Sequence, residues 1–388
     1  MVITSTRRRG ISRFIVAWTL GLVLLGHGLY QAHAQVGGAA VVFLMIEPDS
    51  RSAGMGNAGV AVADNASAVF WNPAGLAFQE GAEITFTHSN WLPEFNAGLY
   101  YEHLNGRYKV PGIGVFGGHV TFLNLGEHEG RDENNVSTGT FRSYDLAIGG
   151  SFARQITERF ALGTGLRLIY SNLAPGQQVG NRETRAGVSF GLDLAGLYRF
   201  PVMDLSGIQT QFALGFNLAN MGPAISYTEG ASEGEVNADP IPTNLRFGWS
   251  ARFDFDEYNR LTLAMDLNKQ LIDRDSTSVT PFYKAIFTAW KPIRVNTGSA
   301  EDPTYETLSV FEQMTLGMGL EYWYNNLFAL RSGYFYENPY NGNRKFLTFG
   351  AGIRYNIIGV DFSYIYALEE KHPLSNTMRF SLLLNFMR

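Results

Sequence analysis

The sequence predicts an all-β fold: a transmembrane antiparallel β-barrel of fourteen strands, preceded by a short N-terminal hatch or plug. Three observations carry that prediction. Of 388 residues only 17% are charged and 43 are Gly, against roughly 25% charged and ~7% Gly in an ordinary soluble domain. From about Ala82 onward, large apolar residues recur at every second position, the period of a strand rather than a helix. The charges inside the clearest strands all fall on the opposite parity, among Gly, Ser and Thr. Beyond the N-terminal region no stretch approaches the ~18–20 apolar residues of a spanning helix.

Residues 1–34 read as a secretory signal peptide that is cleaved. Arg7, Arg8, Arg9 and Arg13 precede an apolar run from about Phe14 to Leu25, and Ala32-His33-Ala34 is an A-x-A cleavage signal. The sequence contains no Cys, so a disulfide framework, a thiolate metal site, a Cys nucleophile and a lipoprotein anchor are all excluded. Net charge is -5, and losing the leader's arginines makes the mature chain more acidic still. A basic footprint for nucleic acid is absent.

Residues 35–81 do not alternate and form the predicted hatch. Gly54-Met55-Gly56-Asn57-Ala58-Gly59 matches G-x-G-x-x-G. It lacks the βαβ unit and the acidic residue of a dinucleotide site. It reads instead as a Gly-rich coil whose backbone lies close against a barrel wall. Asn72-Pro73 is a rigid turn, because Pro fixes its own φ and restricts the residue before it.

The barrel follows from residue 82 to 388. Strands are predicted near 82–88, 96–104, 114–124, 141–153, 159–172, 185–199, 208–219, 244–255, 259–269, 311–323, 326–336, 345–355, 358–367 and 377–387. Val188, Phe190, Leu192 and Leu194 alternate with Ser189, Gly191, Asp193 and Ala195, and Leu347, Phe349, Ala351 and Ile353 with Thr348, Gly350, Gly352 and Arg354. Arg167, Asp193, Arg246, Asp266, Glu321, Arg331, Asp361 and Arg379 all share the small-residue parity. A soluble sandwich would decorate its outer face with many Lys and Glu. Small residues with a few charges of mixed sign suit a crowded lumen, and the apolar parity suits lipid. The connections alternate short and long from the second pair of strands on, as periplasmic turns and external loops do.

Catalytic and metal patterns are weak. Gly187-Val188-Ser189-Phe190-Gly191 matches G-x-S-x-G, but its Ser lies mid-strand and not at a strand-to-helix turn. His88, His103, His119, His128 and His372 show no metal-ligand spacing. No enzymatic activity and no cofactor is expected. Two external loops are the candidate partner-binding elements. Trp91, Leu92, Pro93 and Phe95 are apolar in the first of them, either as a girdle at the lipid boundary or as a protein contact. The loop over 270–310 is long enough to have a function of its own. It carries an amphipathic helix near 282–291 with polar Lys284, Thr288 and Lys291 on one stripe and Phe282, Ile286 and Trp290 elsewhere.

Two resemblances extend this reading. Gly59-Val60-Ala61-Val62-Ala63-Asp64-Asn65-Ala66-Ser67 and Asn72-Pro73-Ala74-Gly75-Leu76 resemble the hatch of FadL-type outer-membrane barrels, which have fourteen strands. Residues 43–56, Trp91-Leu92-Pro93, Asp266-Leu267-Asn268-Lys269, residues 321–331, Gly333-Tyr334-Phe335-Tyr336-Glu337-Asn338-Pro339 and residues 376–381 are similar to the PorV/PorQ family, most closely to PorV. That resemblance implies a bacterial outer-membrane protein of the type IX secretion system. Its members receive cargo from the translocon barrel, bind the cargo's C-terminal sorting domain and deliver it to a surface sortase and attachment complex. The alternative it leaves open is a FadL-like transporter of hydrophobic small molecules.

Overall fold

The computed structural model describes residues 38–131, 136–179, 182–228, 238–274, 279–298, 302–370 and 372–386. The expected signal peptide therefore lies outside the described residues. Fourteen strands make the barrel wall: β1 (Ala82–Asn90), β2 (Tyr100–Val110), β3 (Gly114–Arg131), β4 (Ser137–Gln155), β5 (Phe160–Asn172), β6 (Gly187–Arg199) and β7 (Ile208–Met221) form one half. The other half is β8 (Asn244–Asp254), β9 (Asn259–Gln270), β10 (Met314–Tyr324), β11 (Phe328–Tyr336), β12 (Lys345–Tyr355), β13 (Ile358–Ala367) and β14 (Met378–Asn385). Each pairs antiparallel with its sequence neighbours, and β14 pairs back onto β1, with Phe86 opposite Leu382. A short extra strand, Met203–Leu205, pairs only with the start of β7.

The wall forms because each strand has two chemically distinct columns. In β5, Leu166 and Leu168 are 59% and 57% exposed on the outside, while Arg167 between them is 4% exposed on the inside. Closure leaves no unpaired edge, which a membrane-spanning sheet requires. Aromatic rings mark the lipid boundary at the long-loop end. His88, Tyr100, Phe122, Tyr144 and Tyr170, one from each of β1 to β5, sit in a row with successive centroids 5.9, 6.1, 5.8 and 6.0 Å apart. At the other end Tyr108, Tyr258, Tyr324 and Tyr355 are exposed.

Both ends of the wall lie at the short-turn side, where the Phe386 amide donates to the Ala82 carbonyl. Two strand assignments need correction. The second strand was expected over 96–104 but occupies 100–110. Leu92 and Asn96 take left-handed backbone angles around a 3-10 turn, and Gly98 has positive φ, so the chain cannot extend until Tyr100. The expected loop over 125–140 is mostly strand. There β3 and β4 run on past the aromatic row as a ribbon carrying Glu127, Glu129 and Arg142. Polar residues on both faces erase the alternation that marks a strand in sequence.

Inside the wall the lumen is layered. Val41, Phe43, Leu44 and Ile46 pack with Tyr101, Leu123, Ala147 and Ile169 near the long-loop end. Val69, Ala74 and Leu76 pack with Val115, Ala153, Ala161 and Leu197 near the short-turn end. Along β2 to β5 the residues between these dry clusters are polar and buried, including His103, His119, Ser151 and Arg167.

Candidate functional site

The N-terminal segment occupies the lumen. It contains two single-turn helices, α1 (Ser50–Ala53) and α2 (Ala68–Trp71), and a 3-10 turn over Pro73–Phe78. Asp49 caps α1, accepting from the Ser52 amide at 2.8 Å, and its other oxygen accepts from the Trp71 indole at 2.7 Å. One carboxylate thereby ties the two helices together.

Strands around the barrel hold this segment. The Ser50 amide donates to Ser381 Oγ on β14 at 3.0 Å. The Ala66 amide donates to Glu83 on β1 at 2.7 Å. On β7, Asn217 donates to the carbonyls of Phe70 and Trp71 at 3.2 and 3.1 Å. On β8, the Arg246 guanidinium lies 4.3 Å from the centroid of the Phe70 ring. On β9, Asp266 accepts from the amides of Gly59 and Val60 at 2.7 and 2.9 Å.

A charge chain completes the ring. Arg51 donates to both oxygens of Glu321 at 2.8 and 2.7 Å, and also reaches Asp64. Arg331 donates to Glu321 at 2.7 Å and to Asp361 at 2.8 Å, and Arg354 donates to Asp361 at 2.6 Å. Glu321 and Arg331 are buried. Such groups are tolerable in a dry interior only when paired.

Each hatch residue singled out in the sequence has a physical reason here. A Cβ on Gly54 would come within 3.2 Å of the Gly350 backbone. Gly56 has φ +62°, presses on the backbone of β10 and β11, and donates its amide to Thr348 Oγ at 2.9 Å. A Cβ on Gly59 would enter the Trp71 indole ring. Asn72 accepts from the Ala74 amide at 3.1 Å and donates to the carbonyls of Val60 and Gly196 at 3.0 and 3.1 Å. Pro73 opens the 3-10 turn, where its missing amide costs nothing. The Gly59 amide is already bound to Asp266, which leaves the G-x-G-x-x-G string no free donor there for a phosphate.

The loop residues divide into an inward group and an exposed one. Trp91 faces the inside of the mouth, not lipid. It packs against both the Phe43 cluster and the Phe335, Phe346 and Ile365 cluster, and lies 6.0 Å from the Arg379 guanidinium. Leu92 joins the second of these clusters, and Pro93 starts the turn that folds the loop down. Phe95 alone of the four is a large exposed hydrophobic, at 57%.

In the long loop, α3 (Phe282–Thr288) forms where the periodicity placed it. Phe282 and Ile286 are half-buried, and Trp290 is exposed. A hairpin, Ile293–Asn296 with Tyr305–Leu308, follows it and was not expected. Its strands are only four residues each, too short to leave a period. Ser189 is a buried inward residue whose hydroxyl donates to the Pro223 carbonyl at 2.8 Å. Among the described residues no group of three His, Cys, Asp or Glu could hold a metal.

A closed wall with long loops at one end, lipid-facing apolar columns and a polar lumen defines an outer-membrane β-barrel, here one filled by its own N-terminal segment. The family model described as type IX secretion system protein PorV matches residues 30–277, more than half of the chain, and the chain belongs to that family. No curated protein matches it. Among solved structures it is similar to the Ralstonia pickettii toluene transporter TbuX, at 14% identity over 88% of this chain and 99% of that one, with a TM-score of 0.48. It is also similar to the Pseudomonas putida toluene transporter TodX, at 15% identity over 87% and 96%, TM-score 0.45. A Pseudomonas aeruginosa FadL homologue gives 12% identity over 88% and 98%, TM-score 0.43.

Proposed function

We propose that this outer-membrane barrel of the type IX secretion system is a cargo-binding shuttle. In this reading it takes cargo from the translocon barrel by the cargo's C-terminal sorting domain and hands it to the surface sortase and attachment complex. Residues 1–34 are its cleaved signal peptide, 35–81 a fixed plug, and 82–388 the barrel that presents the external loops.

The observation that supports this reading most is the way residues 47–76 are tied to strands around the lumen. A transport path would have to displace buried charge pairs and backbone hydrogen bonds, each costly to leave unmade. The external mouth, with Phe95 and the long loop, is then the surface left for protein recognition.

The rival reading is a transporter of hydrophobic small molecules, with Asn72-Pro73 as its gate. Against it, Asn72 is buried and held by the Val60 and Gly196 carbonyls and the Ala74 amide, so opening a gate there would break all three bonds. Affinity purification of the barrel from detergent-solubilised membranes separates the two. The shuttle reading expects a very large barrel or cargo with sandwich-like tails to copurify. Recovery of fatty acid or other apolar small molecules alone overturns it.

A further inference from the structure

Helix α3 and the three residues after it have three sectors. At about 100° per residue, Ala285, Ala289, Phe282 and Ile286 fall together, Trp290, Tyr283 and Phe287 come next, and Lys284, Thr288 and Lys291 form the third. The first sector faces the protein: Ala285 and Ala289 are buried, and Phe282 and Ile286 half-buried. The aromatic sector is open, with Phe287 79%, Tyr283 54% and Trp290 42% exposed. A cap meant only to close the mouth would turn all its large apolar side chains inward, whereas this one turns Phe282 and Ile286 only partly inward and leaves three aromatics outside.

Phe311, in the turn that leads into β10, is a further open aromatic. It is 81% exposed. Gln313, two residues on, donates to the Lys291 carbonyl at 3.0 Å, and Lys291 pairs with Asp273 at 2.8 Å, so the end of the helical segment is pinned at the rim between β9 and β10. The Phe311 carbonyl accepts from the amide of Met314, the first residue of the lipid-facing column Met314, Leu316, Met318 and Leu320. Phe311 is therefore joined to the end of a column already in lipid, and Gln313 fastens the α3 segment to the same stretch of rim.

We propose that this aromatic sector rests in the outer leaflet, so that α3 lies along the rim as a lipid-contacting foot. The adjacent, exposed Lys284 suits a headgroup phosphate, as on the cationic face of an interfacial helix. Trp290 needs no protein partner for its polar end, since its indole N–H donates to the Ile286 carbonyl at 2.8 Å. The foot holds the long loop at a fixed height over the mouth, which goes beyond the shuttle reading and stands without it.

The test is tryptophan quenching in reconstituted vesicles of phosphatidylcholine, either plain or brominated on the acyl chains near the headgroup. The Trp290 signal is the difference between the wild-type protein and Trp290→Phe, with heat-modifiable gel migration confirming that each variant is folded. Brominated lipid should cut that signal by about twofold or more. In Phe287→Ser/Phe311→Ser the foot should lift and most of the quenching should disappear. A Trp290 signal equal in plain and brominated vesicles, or quenching unchanged in the double variant, overturns the proposal.

Discussion

The N-terminal segment and the long external loop are both irregular stretches of some forty residues or more, yet they are built in opposite ways. The inner one is held along its length by strands around the barrel, through Ser381, Glu83, Asn217, Arg246, Asp266 and Glu321. The outer one is pinned at its rim by Lys291 with Asp273 and by Gln313, and exposes Tyr283, Phe287 and Phe311. The difference separates a part that must not move from a part that meets other molecules. Polar groups with fixed partners belong to the first, and exposed aromatics to the second.

Breaking the inner region should have the largest effect. Glu321→Ala strands Arg51 and Arg331 without their shared partner, and losing one member of a buried charge network costs about 3–5 kcal/mol. The unfolding midpoint in urea, read by loss of the folded band on unboiled gels, should fall accordingly. Asp266→Ala leaves the amides of Gly59 and Val60 unpaired, a smaller loss of about 1–3 kcal/mol. Hydrogen exchange should show it first at residues 59 and 60 and much less in the strands.

Breaking the outer region should spare the fold. Removal of 275–306 is expected to leave the urea midpoint within experimental error while cargo display at the cell surface is lost. Normal display by that variant would mean that the long loop is not a recognition element.

The smallest effect concerns a short turn at the opposite end. Asp256 lies below its ordinary value near 3.8, because the Asn259 side chain and the Tyr258 amide donate to its carboxylate. A depressed folded value means that its stabilisation is present at neutral pH and lost only as pH falls through that low value. Asp256→Asn should lower stability slightly near neutrality, leave it unchanged below that low value, and so flatten the acid end of the profile.

Much of the barrel was legible because lipid and lumen impose opposite chemistries on alternate residues. Arg167 between Leu166 and Leu168 is readable from three letters. Where that contrast fades, as in the β3–β4 ribbon beyond the membrane, the strand ends were missed. The lumen charges could be assigned to the inside, but not to their partners: Arg51 and Glu321 are 270 positions apart, and only closure of the wall brings them together. Trp91 was less legible for a related reason: its sequence position alone does not show that the loop folds over Arg379.

The central claim is that the plug stays in place while the barrel works. Ser50 and Ser381 meet with hydroxyl oxygens 2.9 Å apart, and the native chain has no Cys to interfere. A Ser50→Cys/Ser381→Cys variant, oxidised in cells, locks the segment to β14. Cargo display should be the same in the locked and reduced states. Display that is lost on oxidation and restored by reduction would contradict the claim and make the plug a moving gate.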